Sequence, residues 1–193
     1  ANYADRWGAR NDLFAITHAN YEVVKAFIRE GAQFTELNKF GVGALGHFCI
    51  APKEVQHKMD IQVLDVLMDK GIFTDINAPL FDFKRRHPRS DKLKIASPHE
   101  MYHKMLFMSA KSGMSKAQTH AQGVYHLAGG TAIHAAVYRD KPAVVKWLLK
   151  HDADPNKTTK RGHNAHDLSV LLGHYRCTAV LEKKFCDRRE QKF

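Results

Sequence analysis

The sequence predicts an all-α fold, a solenoid of stacked helix pairs interrupted by a long basic insertion. Three observations carry that prediction. Thr131 and Asn164 lie 33 positions apart, and Asp140 and Gly173 repeat the same spacing. A period of this length marks stacked units, each needing its neighbours to bury its apolar face. Within one unit, Val144, Val145, Leu148 and Leu149 make an apolar stripe at helical spacing, with Lys146 and Lys150 on the wet side.

Each element follows from local chemistry. Asp12 to Thr17 suit a shortened first helix, and the run from Asn20 to Gln33 suits a second helix that ends near Gly31. Asn38, Gly41, Gly43, Ala44 and Leu45 open the next unit. Its second helix, Asp60 to Gly71, arrives seven residues late because "APKEVQH" lengthens the corner. The clearest unit predicts antiparallel helices over 131–138 and 142–151. Thr131 is placed to cap the first helix through its hydroxyl. Ala132, Ala135 and Ala136 are small enough for close helix approach, and Pro142 fits a first helical turn, where its missing N–H costs nothing. Shifting this pair by 33 predicts helices near 164–172 and 175–185.

The string "GGTAIHAAVYRDKPAVVKWLLKHDADPN", Gly129 to Asn156, resembles the ankyrin repeat, whose pattern runs roughly G-x-T-P-L-H-x-A-A-x-x-G-H-x-x-V-V-x-L-L-L-x-x-G-A-D-P-N. Gly162, Asn164, Ala165, Asp167, Leu168, Gly173 and His174 follow it one period later, and the resemblance covers about residues 10–77 and 129–186. It implies an ankyrin-repeat solenoid of about four repeats, with the insertion between the second and third recognisable copies. The chain then forms a single domain over 1–193: N-terminal repeats 10–77, a basic insertion with an extra helix over 78–128, C-terminal repeats 129–186 and a basic tail 187–193. It implies a non-catalytic scaffold that binds proteins through its fingers and the concave faces of its first helices. Those fingers place Asn38, Lys39 and Phe40, and Lys157, Thr158, Thr159, Lys160 and Arg161, at the partner. His134 matches the family's T-P-L-H histidine, which implies a structural hydrogen bond.

Charge is unevenly spread. Residues 1–77 carry 8 Lys+Arg against 10 Asp+Glu, residues 78–128 carry 9 against 3, and residues 129–193 carry 13 against 7, so the +10 net charge belongs to the insertion and the C-terminal half. Lys84, Arg85, Arg86, Arg89, Lys92 and Lys94 crowd one short stretch of the insertion. Cations this close repel one another unless a partner neutralises them, so they join the candidate contact residues. The expected partner is a protein with an acidic surface. Nucleic acid within a ribonucleoprotein is the alternative, although no base-reading motif accompanies the run.

After the basic run, Ser97 and Glu100 have capping-box spacing, and Met101, Met105, Leu106 and Met108 give the extra helix an apolar side. "SGMSKAQTHAQG", Ser112 to Gly123, is too polar and too bounded by glycine to assign. His99-Glu100-Met101-Tyr102-His103 spells H-E-x-x-H, the zincin pattern in which His99 and His103 would hold zinc and Glu100 act as base. Glu100 has a competing place in the helix cap, and no glutamate stands between Glu100 and Glu182 as a third ligand. The reading is therefore no enzyme, no metal, no cofactor and no small-molecule substrate, with a zinc hydrolase as a further alternative. Cys49, Cys177 and Cys186 are an odd count without a C-x-x-C pair, which suits reduced thiols inside the cell. No apolar run reaches the roughly 18 residues that span a bilayer. The basic balance and the absence of methionine before Ala1 favour an accessory subunit of a large assembly in the mitochondrial matrix or cytoplasm, over a free adaptor that binds reversibly.

Overall fold

The computed structural model describes residues 11–18, 20–34, 37–38, 41–51, 60–73, 75–81, 105, 108 and 119–190. Among them the regular elements are all helical: α1 (Asn11–Thr17), α2 (Tyr21–Arg29), α3 (Ala44–Ile50), α4 (Asp60–Asp69), α5 (Thr119–Leu127), α6 (Ala132–Tyr138), α7 (Pro142–Lys150), α8 (Ala165–Leu171) and α9 (Tyr175–Glu190). The 33-residue period holds in three dimensions. Helices α6 and α8 begin at Ala132 and Ala165, and α7 and α9 begin at Pro142 and Tyr175. Helix α9 outruns its prediction, since no glycine or proline follows Lys183 to stop it.

The helices form two rows. First helices α1, α3, α6 and α8 each pack on the next, and second helices α2, α4, α7 and α9 do the same behind them. One continuous core runs between the rows, with Ile16, Phe48, Leu64, Leu67, Ile133, Leu148, Leu168 and Leu181 wholly enclosed. Burying several side chains of this size, each worth about 1.5–3 kcal/mol, is what holds such short helices in place.

Long polar side chains tie one repeat to the next. Lys141 Nζ donates to the Phe48 carbonyl at 2.9 Å, and Arg139 Nε donates to the carbonyl of Ile50. One period later, His174 Nδ1 meets the Val137 carbonyl at 2.7 Å. Each reaches the C-terminal end of the preceding first helix, where carbonyls have no partner within the helix, and for Lys141 and Arg139 the helix dipole adds to the attraction.

The caps of α6 and α8 are capping boxes. Thr131 is the N-cap of α6 as expected, its side chain toward the His134 backbone N–H, and the box is closed by a bond that was not anticipated: His134 Nδ1 accepts the Thr131 backbone N–H at 3.0 Å. In the next repeat Asn164 and Asp167 exchange both bonds, at 2.8 and 3.2 Å. His134 is fully buried, and its Nε2 lies near the Lys157 and His163 carbonyls without closing a hydrogen bond of ordinary length. Burial pushes its pKa down to about 4, so the ring is neutral at pH 7.

The fourth repeat turns a polar face outward. His166 and Glu182, 3.5 Å apart, replace Ile133 and Leu149 of the third repeat, both of which are buried. Stacked arrays need such substitutions where no further unit covers the core. The exposed pair itself adds little stability.

The extra helix anticipated after Ser97 falls outside the described residues, apart from Met105 and Met108, which are exposed. Helix α5 lies instead in and beyond the stretch that local sequence left unassigned. Its interior Gly123 is a weak helix former. Here a Cβ would stand 3.9 Å from the Tyr138 ring, so the glycine lies close against α6.

Candidate interaction surface at the fingers and groove

Three fingers close with one shared hydrogen-bond pair. In the first, Asn38 N–H donates to Val42 O at 3.0 Å and Gly41 N–H to Asn38 O at 2.9 Å. In the third, Thr159 N–H donates to His163 O and Gly162 N–H to Thr159 O, both at 2.9 Å. The second finger does the same with Leu80 N–H to Gly130 O at 2.6 Å and Gly129 N–H to Leu80 O at 3.1 Å, although residues 81–128 stand between its two sides. Gly41, Gly129 and Gly162 each have φ between 71° and 81°, the left-handed region that favours glycine at such a turn. The second finger is thus an ordinary finger opened at its tip, and a long segment leaves and returns there.

The second and third fingers are fastened together. Lys160 N–H donates to the Ala128 carbonyl at 2.8 Å. Asn77 bonds the Asp152 carbonyl and the Asp154 N–H, at 3.1 and 2.8 Å. A Cβ on Gly129 would come within 3.0 Å of the Lys160 side chain, so the two tips are in close contact.

The predicted contact residues divide by position. Asn38 is buried; its side chain bonds His47 Nε2 and the Val42 N–H, and so builds the first finger from inside. Thr159 is also buried, its hydroxyl accepting the Arg161 N–H at 3.3 Å. Thr158 and Lys160 are exposed, and the exposed Lys157 rests its ammonium 3.3 Å from the Asn77 carbonyl. Arg161 is partly exposed. Lys39, Phe40, Lys84, Arg85, Arg86, Arg89, Lys92 and Lys94 lie outside the described residues, as do His99, Glu100 and His103 of the H-E-x-x-H string. Among the described residues no group of three or more His, Cys, Asp or Glu is arranged to hold a metal, and no helix is long and apolar enough to cross a membrane.

Sequence reasoning missed what occupies the groove between α6 and the third finger. Helix α5 lies there, with Val124 and Leu127 buried in the core. The Arg161 guanidinium stacks 4.1 Å above the Tyr125 ring, and its Nη1 donates to His126 Nδ1 at 3.0 Å. The His126 ring lies 5.8 Å from that of Tyr138, over which Arg139 sits at 5.3 Å. His126 accepts from Arg161 because it is neutral. Burial first, then the nearby Arg161 guanidinium and the His163 ring, push its pKa down to about 4. The first-helix face of the third repeat, expected to be open to partners, is therefore covered by the chain's own helix.

The Ankyrin repeat family model matches residues 128–160, from the joined fingertips through α6 and α7 to Lys160. This stretch is an ankyrin repeat. A 61-residue stretch is also 36% identical to the potassium channel AKT1 of Arabidopsis thaliana. That stretch is 32% of this chain and 7% of the channel, so the likeness concerns a small part of that protein. Ankyrin repeats bind other proteins, and the repeat itself is an interaction module without chemistry of its own.

Proposed function

We propose that this ankyrin stack is a non-catalytic scaffold, an accessory subunit that docks by its joined fingertips onto the acidic surface of a neighbouring protein in a large intracellular assembly. The observation that supports this most strongly is the opened second finger. Lys84 follows Phe81, in the finger that touches Lys160, by only three positions in the sequence. On this reading the cations of the insertion and those of the third finger act on one partner. The mildly acidic N-terminal repeats leave the charge concentrated at this end. A mitochondrial matrix or cytoplasmic setting fits the buried thiols of Cys49 and Cys177; burial pushes Cys49 up to about 12, which keeps it protonated and unreactive.

Charge reversal of Arg85, Arg86 and Arg89 to glutamate is the test. The variant is expected to sediment free of the assembly where the native chain co-sediments. Assembly of the native chain should weaken with added salt, because contacts between exposed charges are screened. A salt slope as steep as counterion release from a phosphate polymer would favour nucleic acid over protein. Unchanged co-sedimentation of the triple variant would return the insertion to a solvated loop.

A further inference from the structure

Arg161 is held unusually firmly for a fingertip cation. One face of its guanidinium rests on Tyr125, and Nη1 is fixed on His126. Its backbone N–H is tied to Thr159, and the adjoining Lys160 is tied to Ala128. Yet no carboxylate lies within ion-pair distance of Arg161 among the described residues. Both groups that hold it, a phenol ring and a neutral imidazole, leave its positive charge uncompensated. Lys157 and Lys160 of the same finger add two further cations. A planar guanidinium retains several N–H donors in a fixed fork, so partial use leaves room for a bidentate carboxylate.

Resting on the scaffold reading above, we propose that Arg161 is the anchor for a carboxylate side chain of an acidic protein segment, and that Tyr125 and His126 of α5 are its positioning residues. Ordering the side chain beforehand removes rotamer entropy that binding would otherwise cost. The insertion therefore contributes to recognition by folding back as a platform under the neighbouring finger, beyond any contact its own cations make. A single-stranded nucleic acid fits less well, because stacking a base needs an open ring face. Guanidinium groups already lie over Tyr125 and Tyr138.

The full chain titrated with a synthetic Glu-rich peptide tests this by calorimetry. Arg161→Lys keeps the charge but loses the planar fork, and is expected to weaken binding about tenfold. Tyr125→Leu should weaken it about fivefold, whereas Tyr125→Phe, which keeps the ring face, should bind like the native chain. Lys146→Ala, on an exposed side of α7, serves as the control and should change nothing. Circular dichroism must match the native chain for each variant. Equal binding by Arg161→Lys would overturn the assignment of Arg161. If Lys157→Glu with Lys160→Glu still weakened the peptide in that case, the scaffold reading would stand without its anchor; if that double variant also bound equally, the scaffold reading itself would fall. Tighter, Arg161-dependent binding of oligothymidylate than of the peptide would overturn the choice of a protein carboxylate.

Discussion

Phe48→Ala is expected to cost about 3–5 kcal/mol and to lower the melting temperature by roughly 10 °C. Phe48 is wholly enclosed, and its helix α3 packs on α1 on one side and α6 on the other. Its carbonyl also accepts the Lys141 ammonium, which lies 5.4 Å over its ring. Truncation opens a cavity at the junction between the N-terminal and C-terminal repeats. Stacked repeats couple chiefly through nearest-neighbour interfaces. The first two repeats should therefore lose hydrogen-exchange protection before α6 to α9 do. Urea unfolding followed by exchange on the same variant measures both effects, and a uniform loss across all helices would contradict the nearest-neighbour picture.

Acidification is expected to be nearly as costly. Burial holds His134 at about 4, against about 6.5 in the unfolded chain, and His126 is lowered in the same direction. Above pH 6.5 neither state binds the extra proton, and stability is complete. Between about 6.5 and 4 the unfolded chain takes up protons that the folded one excludes, so stability falls as the pH drops. For His134 the loss approaches on the order of 3 kcal/mol near pH 4, at about 1.4 kcal/mol per pH unit. Below that, both states are protonated at this ring and it adds no further loss. Denaturant titrations across this window give the slope directly. His134→Ala should lower stability at pH 7, because it removes the acceptor of the Thr131 N–H, and should flatten the slope by about one proton. An unchanged slope would mean that His134 titrates alike in the folded and unfolded chain.

How far these features were legible depends on how local they are. Helices α6 to α9 were readable because Val144, Val145, Leu148 and Leu149 repeat at helical spacing, with Pro142, Asn164 and Gly173 as punctuation. Helix α5 was not, since Gly123 and its polar neighbours give no stripe; it is helical because Val124 and Leu127 find the core. The closure of Leu80 on Gly129 and the stack of Tyr125 under Arg161 join residues far apart in sequence, which no local pattern reports. Asn38 and Thr159 are a different case. Both read as exposed finger residues, yet each stands three positions before a left-handed glycine and bonds backbone within its own turn. That spacing is a signal for an inward, turn-building side chain, and it was present in the sequence.

Recognition of a protein through the finger side is the central claim, and site-specific photocrosslinking in cells tests it most directly. A photoreactive residue at Thr158, exposed on the third finger, should give a discrete protein adduct, while the same residue at Lys146 on α7 should give none. Adducts that form from position 146 but not 158, or adducts from 158 that are lost on nuclease treatment, would contradict the account.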